Sequence, residues 1–385
     1  MSTVISEKGP VATAPADDGT GRAGSTTGRR RRRRPGRVLL SLAALWLAYV
    51  VTHLFLTGEV WWWAALGSLP PLLFLVVPAL LLGSAPLARP QRWRVALIGM
   101  ATLALGAGQS GVNPAALWHH PAPVPASAVT VLSWNTDFWD QRDRPDEFYR
   151  YLRSFDADVY LLQEYLFVVD DQPVRVDELA RLRTEFPGYQ VVVAGELITL
   201  SRLPVVSWSP LDASAGLSEQ DGTASPPGTD FRAYYTTKTL RTDIRIGTTT
   251  VSFYNVHIPL HLTPDLSPFG SAFYRFLREQ HAKRDVHLAA LHHELSTHDG
   301  TAVVAGDFNT SPAMGELADL PDRLADATPA MTDLYPVSWR QPSPAWWRVD
   351  WVFTTTDIGV HRYEFRPSEG MSDHSAQLLL LSPPH

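Results

Sequence analysis

Twenty consecutive residues, VLLSLAALWLAYVVTHLFLT at 38–57, carry no charged side chain unless His53 is protonated. A chain with such a stretch must either bury it in a protein core or pass it through lipid. A helix of about 20 apolar residues covers the ~30 Å of a hydrocarbon core. What precedes the stretch favours lipid: RRRRRRPGR at 29–37 places a cluster of positive charge directly before it, the pattern that anchors a helix end in the cytoplasm. Arginine runs also contact nucleic acid, but the adjoining apolar run makes the topogenic reading the simpler one. A cleaved signal peptide has an apolar core of only ~7–15 residues followed by a small-residue cleavage motif, and this stretch fits neither requirement.

Two more apolar runs follow. VWWWAALGSLPPLLFLVVPALLLG at 60–83 comes after a short polar break at Gly58 and Glu59, with Trp61, Trp62 and Trp63 where an interfacial aromatic belt would lie. Pro70, Pro71 and Pro78 would kink it, which membrane helices tolerate. The third run is VALIGMATLALGAGQSGV at 95–112. Arg89, Arg92 and Arg94 separate runs two and three, while only Glu59 separates runs one and two. The positive-inside rule then gives three crossings, a multi-pass cell-membrane protein, and everything after residue 112 outside the cytoplasm. If the third run only lies at the interface, the remainder is inside.

These runs divide the chain. Residues 1–37 are a basic tail, and 1–28, rich in Gly, Ala, Ser and Thr, read as disordered. Residues 38–112 are the membrane region, and 113–127 a Pro/Ala-rich linker that acts as a semi-stiff tether. His119 and His120 in the linker are read as incidental rather than as metal ligands. Residues 128–385 form the soluble unit. Its 21 Lys+Arg against 35 Asp+Glu give −14, whereas the part before it, with 12 against 4, is +8. A unit so acidic, whose only lysines are Lys238 and Lys283, repels a long polyanion unless a basic groove is locally concentrated. The chain has no cysteine, which excludes disulfides and thiolate metal sites.

Within the soluble unit short apolar runs alternate with helical stretches. Strands are expected at 128–135, 157–164, 249–258, 302–309, 348–356 and 375–382, with a hairpin from 189–195 and 198–202. Helices are expected at 146–155 and across 270–297. Many strands and few helices in about 255 residues imply an α/β sandwich of two mixed sheets flanked by helices.

The strands end on a recurring set of polar residues. Asn135 closes the first and Glu164 the second; His257 ends another; VVAGDFNTSP presents Asp307 and Asn309; Asp350 lies in RVDWVF; Asp373 and His374 precede the last strand. A single Asn or Asp at such a place caps a turn. Asp350 is harder to dismiss, because a carboxylate among bulky apolar neighbours needs a partner, and a histidine would serve. Together the set holds the parts for metal-assisted attack on a phosphodiester. Glu164 and Asn135 can offer oxygen ligands to a hard divalent cation. Asp307 and Asn309, two apart on one strand face, can align a water and stabilise phosphoryl charge. His374 can be held by Asp350.

The ordered motifs WNTDFWD, LLQE, LSRLP, YNVHIP, GDFNTSP, RVDWVF and SDHSA resemble the endonuclease/exonuclease/phosphatase superfamily, with its deoxyribonuclease-I-like fold, over essentially all of 128–385. The resemblance implies a four-layered α/β sandwich and a Mg²⁺-dependent (or Mn²⁺-dependent) phosphodiesterase or phosphatase using in-line attack by water. It assigns Asn135 and Glu164 to the metal site, with Asp373 a carboxylate near the metal. It makes His257 a general acid or phosphate binder and gives Asp307 the activation of water. Asn309 is to hydrogen-bond the scissile phosphate, Asp350 to hold the last histidine, and His374 to contact phosphate. Glu196, Glu219, Asp221 and Asp230 all precede His257, and none lies in a motif that marks it as that histidine's acidic partner.

The substrate is then a phosphodiester or phosphomonoester: a lipid head group, an envelope phosphodiester or nucleic acid. Besides the substrate, the bilayer is the one partner expected; no protein partner is. Two rivals are an exported nuclease and a membrane-tethered binding protein that kept the fold without hydrolysis. Arg275, Arg278 and Arg284 read as a solvated helix face in preference to a substrate clamp. Phe269, Phe273 and Phe276 read as core packing in preference to membrane contact, and Trp346 and Trp347 as a pocket rim.

Overall fold

The computed structural model describes residues 34–118, 123–263, 265–341 and 343–384. The disorder expected for 1–28 and the histidines His119 and His120 lie outside the described residues. In chain order the strands are β1 (Val129–Asn135), β2 (Val159–Gln163), β3 (Leu166–Val169), β4 (Gln172–Arg175), β5 (Gln190–Ala194), β6 (Leu197–Ser201), β7 (Val205–Asp212), β8 (Thr237–Ile246), β9 (Thr249–His257), β10 (Ala302–Asp307), β11 (Leu324–Asp326), β12 (Asp350–Thr355), β13 (Gly359–Arg366) and β14 (Ala376–Ser382). The helices are α1 (Arg34–Leu56), α2 (Ala64–Gly67), α3 (Leu73–Ser84), α4 (Arg92–Gly106), α5 (Pro145–Ser154), α6 (Leu179–Glu185), α7 (Arg232–Thr236) and α8 (Ser271–Thr297).

Two six-stranded mixed sheets face each other, in the orders β13-β14-β1-β2-β6-β5 and β11-β12-β10-β9-β8-β7. The parallel pairs β1–β2 and β9–β10 lie at the centres of the sheets. Because strand side chains alternate between faces, Val129 and Val131 of β1 enter the interior with Val159, Leu161, Phe253, Val303, Val352 and Leu379. Leu132 and Trp134, one residue out of phase, pack outward against Phe148 and Leu152 of α5. On the far sheet Tyr254, Val256 and Val304 pack outward against Leu291 and Leu295 of α8. The result is helix, sheet, sheet, helix. Full burial of each such side chain is worth roughly 1.5–3 kcal/mol.

The helices before residue 112 differ from the expected spans. The run at 60–83 is not one helix. Pro70 and Pro71 lack amide donors; the chain turns through Trp61–Trp63 and α2 and restarts at Leu73, leaving α3 with 12 residues. The third run yields α4, with 15 residues. At 1.5 Å per residue these helices reach about 18 and 22 Å. Among the described residues one helix is long and apolar enough to cross a membrane, Pro35–Leu56, with mean hydropathy 2.0. It packs on α3 and α4 through Ala43, Leu81, Ala85 and Val95.

The start of α1 lies beside the Ala88–Gln91 turn, so Arg37, Arg89, Arg92 and Arg94 gather at one end of this bundle. The sandwich sits on the other end. Trp347 Nε1 donates to Ser68 O at 3.1 Å, and Asn113 Nδ2 donates to Thr328 O at 3.0 Å and Met331 O at 3.2 Å.

Candidate active site

Every residue expected in the site lies at one edge of the paired sheets, and β-register explains why. Asp307 is paired across β10–β9 with His257 and across β10–β12 with Asp350, so three site residues from remote segments share one row. The parallel pair β9–β10 approaches so closely that a Cβ on Gly306, at φ +151°, would overlap the Val256 carbonyl. The glycine in GDFN is therefore a packing requirement. Asn135 comes from the end of β1, directly across from the end of β2, where Glu164 follows in a left-handed conformation at φ +61°.

Asn135, almost wholly buried, joins the two sheets. Its Nδ2 donates to Glu164 Oε1 and to Asp307 Oδ2, both at 3.0 Å, so these carboxylates face each other across one amide. Asp137, Phe138 and Trp139 have consecutive positive φ values of 53°, 70° and 56°. Such backbone is costly and is held in place by its surroundings; here it presents Phe138 N to Glu164 Oε2 at 2.9 Å. Trp139, fully buried, anchors the turn.

Asn309, at φ +50°, curls back on Asp307: its backbone N donates to Oδ1 at 2.8 Å and its Nδ2 to Oδ2 at 3.1 Å. The remaining Nδ2 hydrogen goes to Ile258 O at 2.9 Å. Both side-chain donors are thus committed. Asn309 holds Asp307 through two hydrogen bonds and Ile258 O through one.

Two histidines flank Asp307. His257 Nε2 lies 3.7 Å from both Glu164 Oε1 and Asp307 Oδ2. His374 Nε2 lies 3.6 Å from Asp307 Oδ2 and 3.8 Å from Asp373 Oδ1, while its Nδ1 meets Asp350 Oδ2 at 2.8 Å. Burial alone would lower His374, but Asp350, with Asp307 and Asp373, more than offsets it and holds the imidazole well above its ordinary pKa. Asp373 is the most open carboxylate and accepts from Trp339 Nε1 at 2.8 Å. Trp339 lies tilted against Trp347 with ring centroids 5.7 Å apart.

The acidic partner of His257 is Glu196, whose Oε2 lies 3.2 Å from Nδ1. Lys238 pairs with the other Glu196 oxygen, and all three side chains are buried. Burial would raise Glu196, but Lys238 and then His257 more than offset that and hold it at about 2. His257 is pulled down by burial and raised overall by Glu196. Sequence alone does not single Glu196 out from Glu219, Asp221 and Asp230, because it stands in a β-turn between β5 and β6, outside any motif. Lys238, one of two lysines in the unit, was the available signal.

The donor set fits a hard divalent cation. Burial pushes the Glu164 carboxyl up to about 7, and His257 only partly offsets this. The buried Asp350 Oδ1 has no hydrogen-bond partner among the described residues. Among the described residues, Asp307, Asp350 and His374 offer ligand atoms all within 4.8 Å of one another. Of the expected ligands, Asn135 touches this trio through Asp307 at 3.0 Å and Asp373 approaches it through His374 at 3.8 Å. Since Asp350 and His374 are already paired to each other, Glu164 and Asp307 remain the two carboxylates turned toward one amide.

The family model for the Endonuclease/Exonuclease/phosphatase family matches residues 132–374, from β1 to His374. The chain belongs to this family. Solved structures similar to this endonuclease/exonuclease/phosphatase member include the endonuclease/exonuclease/phosphatase from Bacteroides vulgatus, at 16% identity and TM-score 0.45, covering 66% of this chain and 99% of that one. Truncated TDP2 from Caenorhabditis elegans gives 16% identity and TM-score 0.43, over 68% of this chain and 100% of that one. A mannosyl-6-phosphatase from Bacteroides thetaiotaomicron gives 14% and 0.43, over 66% and 99%. No curated protein matches the chain. Enzymes of the endonuclease/exonuclease/phosphatase family are hydrolases of phosphoesters and are generally dependent on a divalent metal.

Proposed function

We propose that this chain is a divalent-cation-dependent phosphodiesterase or phosphatase that cleaves a P–O bond by in-line attack of water, with Mg²⁺ as the ion and Mn²⁺ as its substitute. The observation that carries the reading is the convergence on Asp307 Oδ2 of four side-chain nitrogens, from Asn135, Asn309, His257 and His374, at 3.0–3.7 Å. Donors so arranged hold the carboxylate in one orientation. Asp307 takes the proton from the attacking water as the new P–O bond forms. His257, kept charged by Glu196, gives a proton to the oxygen whose bond to phosphorus breaks. His374, held by Asp350, faces the phosphoryl oxygens. Glu164 and Asp373 would hold the cation, with Asn135 fixing Glu164 against Asp307. When bound, the cation polarises the phosphoryl oxygens and neutralises developing charge.

The helices before residue 112 are read as a membrane bundle crossing three times, with α3 and α4 lengthened by their flanking turns. In support, Leu42, Leu45 and Phe55 of α1, Leu80 of α3, and Leu97 and Met100 of α4 all point outward and are exposed. The arginines lie at the end opposite the sandwich, which supports reading the catalytic unit as outside the cytoplasm.

A lipid head group is the favoured substrate. The loops that follow β10 and precede β12, both from the catalytic edge, rest on the bundle, and α8 packs on Trp61–Trp63. Trp62, Leu66, Leu69, Leu260 and Phe269 are exposed on this side, Phe269 at 97%. Phe269 thus departs from the core packing expected for it, whereas Phe273 is buried. The test is a substrate panel on the full chain in phospholipid nanodiscs, with Mg²⁺ or EDTA. Release of head group from phospholipid, with plasmid DNA untouched, supports the reading. Salt-sensitive plasmid degradation points to the nuclease, and inertness on every phosphoester to the binding protein.

A further inference from the structure

We propose that His53 and Thr57, at the sandwich-facing end of α1, are positioning residues: they clamp the Ala313–Gly315 turn and through it hold Asp307–Asn309 in working geometry. The inference rests on the phosphoesterase reading above.

His53 is fully buried in the last turns of a helix that carries no other basic or acidic side chain after Arg37. A polar group in such a place is expensive and needs a partner. Trp63 Nε1 donates to His53 Nδ1 at 3.1 Å. Indole is a donor only, so Nδ1 must be the acceptor and the ring proton sits on Nε2. That proton goes to Ala313 O, 2.6 Å away and 260 residues along the chain. Thr57 adds two bonds to the same turn: its Oγ1 donates to Ala313 O at 3.2 Å and accepts from Gly315 N at 3.2 Å. The fit is close; a Cβ on Gly315 would stand 2.6 Å from Thr57 O. Ala313 is itself fully buried, in one apolar cluster with Val50 of α1 and Phe74 of α3.

From the clamped turn to the site the links are short. Glu316, next after Gly315, accepts from Thr310 Oγ1 at 2.9 Å and pairs with Arg284. Arg284, expected on a solvated helix face, is instead fully buried. It donates to Phe308 O at 3.1 Å, to Thr310 Oγ1 at 2.5 Å and to Pro259 O. Phe308 and Thr310 flank Asn309, whose left-handed backbone brings its N–H onto Asp307. Pro259 follows Ile258, the acceptor of the Asn309 amide. The end of α1 therefore bounds a set of buried and half-buried polar contacts, joined to the clamped turn through the Gly315–Glu316 peptide and ending on Asp307. Buried networks of this kind hold one arrangement when every partner is present.

The test uses the full chain in phospholipid nanodiscs. Thr57→Val keeps the side-chain shape and removes both hydrogen bonds, Thr57→Ser keeps both, and His53→Leu removes the other clamp. Thr57→Val and His53→Leu are expected to lower kcat on bis(p-nitrophenyl) phosphate by about tenfold or more while KM moves less than about twofold. Thr57→Ser is expected to restore kcat. Amide exchange across 308–316 should quicken in the first two variants and not in the third. Unchanged kcat in Thr57→Val, with or without faster exchange, would overturn the proposal, since the contact would then only dock the bundle. Were wild type and Glu164→Ala equally inactive, the phosphoesterase reading would fall instead, and exchange across 308–316 would still decide whether the clamp exists.

Discussion

Glu164→Gln is expected to stabilise the cation-free protein at alkaline pH, the reverse of what loss of a site residue usually does. Burial lifts the Glu164 carboxyl from 4.5 to about 7, with His257 and the Asn135 amide opposing and Glu196 adding to the rise. The folded-state value lies above the unfolded one, so the folded chain holds this proton more tightly. The associated stability is fully present below about 4.5 and is lost as pH rises through about 7. A shift of this size amounts to about 3 kcal/mol at pH 8. Glutamine stays neutral and can accept one of the two bonds that Phe138 N and Asn135 Nδ2 now give. Losing the other costs about 1 kcal/mol. A net gain of about 2 kcal/mol remains, or roughly 4–8 °C in Tm for a unit of this size. Thermal unfolding of the full chain in detergent with EDTA, at pH 8 and pH 5, checks it. The variant should melt higher at pH 8, should show no gain at pH 5, and should lose the rise in Tm that Mg²⁺ gives wild type. A variant that melts at or below wild type at pH 8, or gains equally at both pH values, would refute the reasoning.

Asp307→Asn should lower kcat by about 10²–10⁴-fold yet keep the Mg²⁺-induced rise in Tm; a retained rate would remove Asp307 from its role. Glu196→Gln leaves Lys238 buried without its carboxylate, at a cost of about 3–5 kcal/mol, read by chemical denaturation. Pairing it with Lys238→Met should recover stability but leave the protonated-His257 limb of the pH–rate profile displaced to lower pH. A reporter fused after residue 127 should be active only on the outer side of the membrane; activity on the inner side would make the number of crossings even.

Most of the site was legible because its residues end strands whose apolar runs are strong. The β10 run AVVAGD and the β12 run DWVFTT are buried throughout, so Asp307 and Asp350 stood out against their neighbours. Edge strands were harder. β7, VVSWSPLD, is mostly exposed and contains a proline, and β13, GVHRYEFR, shows no clean alternation; neither carries the burial that makes a strand visible. The short hairpin β3–β4 passes over the surface with the same weakness. Glu196 and Arg284 owe their burial to partners distant in sequence, Lys238 and Glu316, and no local pattern marks such pairs. His53 was visible only as the one side chain in an apolar run that can charge near neutral pH, a signal of need without the identity of its acceptor. The broken span at 60–83 shows the opposite error, in which hydropathy outran backbone: two adjacent prolines decided where the helix could begin.

The most direct test of the site's chemistry is turnover of bis(p-nitrophenyl) phosphate by the full chain, titrated with Mg²⁺ from an EDTA-stripped state, in wild type and in His374→Ala. Saturable activation by the ion from a negligible starting rate, abolished in a variant that still folds, is the expected result. A rate that persists in EDTA, or survives intact in His374→Ala, would contradict cation-dependent hydrolysis at this edge of the sheets.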